Sequence, residues 1–330
     1  MRGIIMDKIL SISVAAYNVA STIEQCLDSF IASKHTDKFE VIVVNDGSQD
    51  NTADIVNNYV KKYPGTIRLI NKQNGGHGST INASINQANG KFFKIVDGDD
   101  WVDTAAFDKL LAFLSNCDAD LVISNYTKAY PDHHEPQNLL DKYKLNTLYN
   151  LNEFPLNRFY PIHALTIKTD TYKSIHPHIS EHCFYVDLEF LTFNILSAQT
   201  LQFYPEYVYE YRLGSSEQSV STMGFYKHIE DLTKVITRLL AIYAQDFGYK
   251  INSNSSKAQY LFHIISSQYT TLFKLFIRFH KSDKDYVLED FDRKMRRTYP
   301  NLVNAINLKQ RKYIRLNYPF MLSLMRFFHK

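Results

Sequence analysis

Through the first 125 residues, apolar runs of strand length alternate with segments whose apolar residues recur at helical spacing. Ile9 to Ala15, Phe39 to Val44, Thr66 to Ile70, Lys91 to Val96 and Asp120 to Ser124 read as strands. Between them, Ser21 to Ser33, Thr52 to Tyr63, Ser79 to Ala88 and Thr104 to Asn116 read as helices; in the first of these, Ile23, Leu27, Phe30 and Ile31 share a face. Continuous apolar strands separated by amphipathic helices predict a mostly parallel α/β sheet covered by helices on both faces. In such sheets ligands bind beyond the carboxyl ends of the strands. Asp46 and Asp97 both fall at such ends, so one crevice is expected to hold both.

Downstream the pattern loosens. Tyr126 to about Tyr149 is polar and reads as an exposed excursion; Tyr160 to Thr169 and Leu201 to Tyr211 read as strands, and Val186 to Leu196 as a helix. From about Phe225 onward the spacing is mostly helical, over Ile229 to Phe247 and Ala258 to Phe279. These patterns divide the chain into a catalytic domain over 1–224, with halves of about 1–125 and 126–224, and a helical region over 225–330. The boundary is expected near residue 224.

Net charge is only +3, too balanced to point to a nucleic-acid partner, but its distribution is uneven. After Asp292 there is no Asp or Glu, while basic and aromatic residues interleave as far as Lys330. A tail of that kind suits the cytosolic face of a membrane, and packing on the protein or on a second copy in a homo-oligomer suits it equally. No apolar run is long enough to span a bilayer, and Met1 to Lys8 lacks the apolar core of a signal peptide. Cys26, Cys117 and Cys183 form neither a zinc spacing nor a disulfide framework. A cytoplasmic protein, peripheral to the membrane at most, is expected.

The chemistry gathers at three turns. Asp97-Gly98-Asp99-Asp100 sets three carboxylates in four positions, which repel one another unless solvent or a cation relieves them. Oxygen ligands at a strand end suit Mn²⁺ or Mg²⁺ bridging to phosphates, and Gly98 permits a tight turn. A solvated turn capping the next helix from Asp103 or Thr104 is the alternative. Asn45-Asp46-Gly47-Ser48 offers a carboxylate to a nucleobase or ribose, or simply turns the chain. Gln73 to Ser79 carries Gly75, Gly76 and Gly78 ahead of a helix, where backbone N–H groups can meet a diphosphate. The loop after the first strand lacks Gly-x-Gly-x-x-Gly, and no P-loop is present, which sets aside nicotinamide enzymes and P-loop ATPases.

Taken in order, Ala16-Tyr17-Asn18, Asn45-Asp46-Gly47-Ser48, Asn74-Gly75-Gly76, Asn82 and Asp97-Gly98-Asp99-Asp100-Trp101 closely resemble family 2 glycosyltransferases of the GT-A fold. The resemblance runs from Ile9 to about Ser221. It implies an inverting, metal-dependent hexosyl- or N-acetylhexosaminyltransferase that uses a nucleotide-diphospho-sugar, most often a UDP-sugar. The expected acceptor is a glycan or lipid-linked glycan of a cell-surface polysaccharide. A catalytically silent sugar-nucleotide or glycan binding module is the alternative. By the same resemblance Tyr17 and Asp46 hold base and ribose, with Asp97 nearby; Asp99, supported by Asp97, ligates the metal. Asp100 is the member of the turn expected to be structural. Gly76 and Asn82 fall in the donor-binding motifs.

Downstream, Asp187 matches the catalytic base, with Val186 where the family carries an acid. Glu189 is expected on another side of that helix. Arg212 is either a diphosphate contact or a structural ion-pair partner. His163 reads as a core histidine or as an acceptor-side residue. The family often has Arg just before the asparagine of the helix after the glycine loop; here that position is Ile81.

Overall fold

A computed structural model describes residues 8–156, 158–214, 227–252, 254–278 and 285–306. Two compact units emerge, one formed by Met1–Leu151 with Tyr160–Ser215, the other by Asn152–Phe159 with Ser216–Lys330. The expected boundary near residue 224 lies outside the described residues, as does the part of the basic tail beyond Ile306.

The first unit is built on one mixed sheet. Its parallel half consists of β1 (Leu10–Ala16), β2 (Phe39–Asn45), β3 (Ile67–Asn71) and β4 (Phe92–Asp97), in the order β3-β2-β1-β4. α1 (Ile23–Ile31), α2 (Thr52–Lys62) and α3 (His77–Gln87) connect these strands. β1 and β2 are buried almost throughout because they are covered on both faces, and the polar Ser11 and Glu40 among them bond to each other at 2.6 Å. Phe30 of α1 and Phe39 of β2 each meet Phe107 edge-on, with centroids 5.3 and 5.1 Å away. Phe107 lies in α4 (Thr104–Ser115), whose first turn is capped by the Asp103 carboxylate accepting from the Ala106 N–H at 2.8 Å.

The rest of the sheet departs from the parallel pattern. β5 (Trp101–Val102), β6 (Leu121–Ala129), β7 (His134–Gln137), β8 (Tyr149–Asn150), β9 (Leu165–Lys168) and β10 (Thr200–Arg212) complete it among the described residues. β9 lies antiparallel between β4 and β6, β10 is parallel to β6, and the two-residue β5 forms the far edge against β10. The excursion expected over 126–149 is partly sheet: β6 runs on to Ala129 and β7 folds back on it antiparallel. The polar composition of β7 hid this, since its pattern of exposed and half-buried residues gives no apolar run.

α5 (Thr169–Lys173) and α6 (Asp187–Ser197) complete the unit. In the second unit α7 (Ile229–Phe247), α8 (Ser256–Arg278), α9 (Asp285–Thr298) and α10 (Pro300–Ala305) form a helical body. There the buried Asp292 accepts from the Tyr269 hydroxyl at 2.8 Å and pairs with Arg296 at 2.9 Å. Among the described residues no helix is long and apolar enough to cross a membrane.

Candidate active site

Strand register places the carboxyl ends of β1, β2 and β4 along one edge. Ala15 pairs with Asp97 on one side, and Ala16 pairs with Asn45 on the other. The turns that follow β2 and β4 therefore flank the loop after β1, as expected for a shared crevice. In that loop Tyr17 is half exposed. Its neighbour Asn18, at φ 53°, accepts from the Gln49 N–H at 2.7 Å and donates its own N–H to Ser48 Oγ at 3.0 Å.

The acidic turn separates into distinct roles. Asp100 is buried; it accepts from the Tyr209 hydroxyl at 2.6 Å and the Arg212 N–H at 2.7 Å. Burial, then the charges of Asp97 and Asp99, push its carboxyl up to about 9. Asp100 thus ties the turn to β10 as a structural member. Asp99 is exposed. Desolvation on the packed turn, reinforced by Asp97, nevertheless holds it above its usual range. Asp97 is half-buried, with His77 Nε2 at 3.2 Å from its carboxylate, inside ion-pair range but outside hydrogen-bond geometry. Burial alone would raise Asp97; His77 outweighs it and lowers the carboxyl. Gly98 is needed for close approach to β1, not for an unusual backbone angle: a Cβ there would lie 2.8 Å from the Ala15 carbonyl oxygen.

The glycine loop is wired differently from the expectation. Asp46 is buried, and its carboxylate accepts from the N–H groups of Gly75 (2.9 Å) and Gly76 (2.8 Å). Lys72 Nζ at 2.7 Å and Ser79 Oγ at 3.2 Å complete the shell. Four protein donors thus occupy the carboxylate expected to meet a base or ribose, and two of them are amides expected to face a diphosphate. Asp46 anchors the loop. Gly76, at φ 79°, takes the left-handed conformation that lets its N–H reach this anchor. Among the described residues, the amides of His77 and Gly78 at the start of α3 make no hydrogen bond, leaving them as donors at a helix N-terminus.

A segment ahead of α6 packs directly on this loop. The His182 N–H donates to the Gly75 carbonyl at 2.6 Å. Asn82 does not present its amide to the crevice: it accepts from the Ile179 N–H and donates to the Ile179 carbonyl, both at 2.9 Å, and to Glu181 at 3.1 Å. Glu189, fully buried, accepts from the N–H and hydroxyl of Ser180 at 2.7 and 2.8 Å. These contacts fix the start of α6, and hence Asp187, against the glycine loop. Gly78 has no room for a side chain, because a Cβ would overlap the Ser180 carbonyl. Gly78→Ala is expected to lower stability by about 2 kcal/mol despite the better helix former, since the clash is with backbone; thermal unfolding against wild type checks it.

Asp187 opens α6 and is half-buried. Burial raises its carboxyl above the ordinary range, against the opposing pull of His77. Burial alone would lower His77, but the charges of Asp97, Asp187 and Asp99 together raise it. One imidazole therefore senses all three carboxylates that carry the expected chemistry. No motif points to His77, although it is the one ionisable side chain between Gly75 and Ser79.

Arg212 lies beside the acidic turn, its guanidinium 4.7 Å from the Trp101 ring centre; Nε donates to the Asp99 carbonyl at 2.6 Å and an amino group to Gln25 at 2.5 Å. The loop expected to cover the donor, Gln218 to Ser221, lies outside the described residues. His163 is buried, stacked on Tyr209 and Tyr211 at 4.7 and 5.1 Å, and burial followed by the charge of Lys94 pushes it down to about 3. It is a neutral core histidine. Lys94, buried beside it and brought down to about 7 by burial, donates to the His163 carbonyl at 2.5 Å.

Among the described residues no three acidic, histidine or cysteine side chains are already gathered around a cation position. The exposed Asp99 and half-buried Asp97 still fit Mn²⁺ or Mg²⁺, since such ions take one or two carboxylates and complete their shell with phosphate and water.

A mostly parallel α/β sheet with an acidic turn at a strand end and a further carboxylate at the start of a later helix is the arrangement that the resemblance to GT-A glycosyltransferases implies. Residues 11–182 match the model of glycosyl transferase family 2, and the chain belongs to that family. It is similar to the uncharacterized glycosyltransferase EpsJ of Bacillus subtilis (strain 168), 37% identical over 38% of this chain and 36% of the relative. The hyaluronan synthase of Pasteurella multocida is 34% identical over 38% of this chain and 13% of its own length. The matches thus span about a third or less of these relatives. In fold the chain is similar to S. aureus TarS 1-349 in complex with UDP-GlcNAc, with a TM-score of 0.71 at 19% identity, covering 97% of this chain and 91% of that one. A mannosyltransferase of Pyrobaculum calidifontis in complex with GDP-Man and Mn²⁺ superposes with a TM-score of 0.52 at 13% identity, over 97% and 87% of the two chains.

Proposed function

We propose that this glycosyltransferase moves a sugar, with inversion, from a UDP-sugar to a hydroxyl of a glycan or lipid-linked glycan in cell-surface polysaccharide synthesis. The observation that carries the reading is the acidic turn at the carboxyl end of β4, with Asp97 3.2 Å from His77, beside a glycine loop that also holds the segment leading to Asp187. Asp187 takes the proton from the acceptor hydroxyl as its oxygen attacks the anomeric carbon, and the elevated carboxyl makes it a better base than a solvated aspartate. Asp99 and Asp97 would hold a divalent cation, whose charge would offset that of the leaving diphosphate. The helix-start amides of His77 and Gly78 face the same anion. Tyr17 packs on the base, Asp46 shapes the pocket floor through the glycine loop, and Asn82 positions the segment before Asp187. Arg212 holds the acidic turn through the Asp99 carbonyl. UDP-GlcNAc in TarS and GDP-Man with Mn²⁺ in the mannosyltransferase support a nucleotide-sugar donor.

A donor screen by thermal shift with Mn²⁺ present tests the reading. One UDP-sugar is expected to raise the midpoint by several degrees, as a ligand near 100-fold above its Kd adds about 2.7 kcal/mol. Equal small shifts from every nucleotide sugar would count against a specific donor site.

A further inference from the structure

Beside the acidic turn, at the β5 edge of the sheet, lies a cleft of about 640 Å³ that the transfer chemistry does not use. A cleft of this size falls within the range of small-ligand sites, about 300–1,000 Å³. Trp101 of β5 forms one wall, Gln25 and Asp28 of α1 another; Asp103, His134 and Glu210 close it. Asp187, Asp97 and His77 are not part of its lining.

The lining is aromatic and rich in hydrogen-bond acceptors. The His134 ring stands 6.4 Å from the Trp101 ring, edge to face. Asp28 uses one carboxylate oxygen on the Tyr59 hydroxyl at 2.6 Å, and Asp103 one on the Ala106 N–H at 2.8 Å. Among the described residues the second oxygen of each accepts nothing. Glu210 is 9% exposed, and its Oε2 has no hydrogen-bond partner. His134 Nδ1 approaches that oxygen at 3.2 Å, inside ion-pair range but without hydrogen-bond geometry. No lysine or arginine is in the lining among the described residues; the Arg212 guanidinium lies behind it, on the Trp101 ring and Gln25.

Such a surface complements an uncharged sugar ring. The apolar C–H face of a pyranose packs on an indole, here on the face of Trp101 turned away from the Arg212 guanidinium, while its hydroxyls donate to carboxylates. A phosphate or uronate would instead meet Asp28, Asp103 and Glu210 as like charges. The cleft also touches the acidic turn mechanically. Gln25, on its wall, accepts from Arg212, and Arg212 donates to the Asp99 carbonyl.

We propose that this cleft is a glycan subsite, holding an uncharged sugar residue of the acceptor other than the one that receives the new bond. The proposal rests on the transferase reading above and narrows its acceptor to a chain with neutral sugars near the growing end. Trp101 is the chain's single tryptophan, so its emission reports on this cleft.

The full chain, without donor or metal, is titrated with neutral tri- to pentasaccharides built from glucose, galactose or N-acetylglucosamine. A uronic-acid oligosaccharide of matched length is the counter-ligand. At least one neutral series is expected to give a saturable change in emission, with none from the acidic one. His134→Ala combined with Asp28→Asn alters two exposed side chains outside the transfer machinery. This variant is expected to bind about tenfold more weakly, as loss of hydrogen bonding to a charged group implies. Three results would each overturn the subsite: no saturable change from any neutral series, tighter binding of the acidic ligand, or unaltered affinity in the double variant. Parallel release of nucleoside diphosphate from donor keeps the two readings apart. Its persistence alongside any of these results removes the subsite alone, whereas its absence removes the transferase reading.

Discussion

Asp187→Asn is expected to reduce transfer by about 10²–10⁴-fold, the range typical for loss of a general base, with donor affinity essentially unchanged. The substitution keeps the shape of the side chain and its place at the start of α6, but an amide cannot take the acceptor proton. Donor binding depends on other groups, so thermal shifts by nucleotide sugar should match those of wild type. The wild-type pH profile carries a second signature. The working form of Asp187 is the carboxylate, and burial raises its pKa, so kcat/KM should rise with pH through a limb above the usual carboxylate value of about 4. Transfer by Asp187→Asn at near wild-type rate would remove this residue from the base role.

Asp99→Asn is expected to be as damaging by a different route. Asp99 is exposed and free of other structural duties, so the variant should fold and melt like wild type. It should nevertheless lose the thermal stabilisation that donor gives in the presence of Mn²⁺, with transfer falling on the order of 10³-fold. Asp100 provides the contrast. Its carboxylate is buried against Tyr209 and the Arg212 amide, so Asp100→Asn acts on the integrity of the turn before it acts on any ligand. A variant at Asp99 that retains metal-dependent donor binding would shift the metal to Asp97 alone.

Much of this was legible from residue order. The alternation of apolar runs and helical spacing defined β1 through β4 and their helices within a few residues, because these strands are rich in apolar and β-branched residues with only single polar interruptions. The same signal fails for β7 and β5. One is polar and partly exposed, and the other is two residues long. Antiparallel β9 was legible as a strand but not in its direction, since local pattern carries no information about pairing partners.

At the site, motif order located the acidic turn, the glycine loop and Asp187, but not the division of labour among them. Whether Asp46 faces a ligand or its own loop depends on where the amides of Gly75 and Gly76 point, and that is set by the left-handed backbone at Gly76. Asn82 and Glu189 were separated in the reading by more than a hundred positions. In space they grip the same short segment, Ile179 to Glu181. His77 escaped because its significance arises only when the turn after β4 and the start of α6 are brought to it. Where many of the family carry an arginine in the helix after the glycine loop, this chain has the buried Ile81, and His77 stands 3.2 Å from the Asp97 carboxylate.

Release of nucleoside diphosphate from a UDP-sugar, followed with and without Mn²⁺ in wild type and in Asp99→Asn, tests the central claim most directly. The predicted result is release by wild type that requires the metal, rises when acceptor is added, and disappears in the variant. Release at wild-type level by Asp99→Asn, or release by wild type that is indifferent to chelation of the metal, would contradict it.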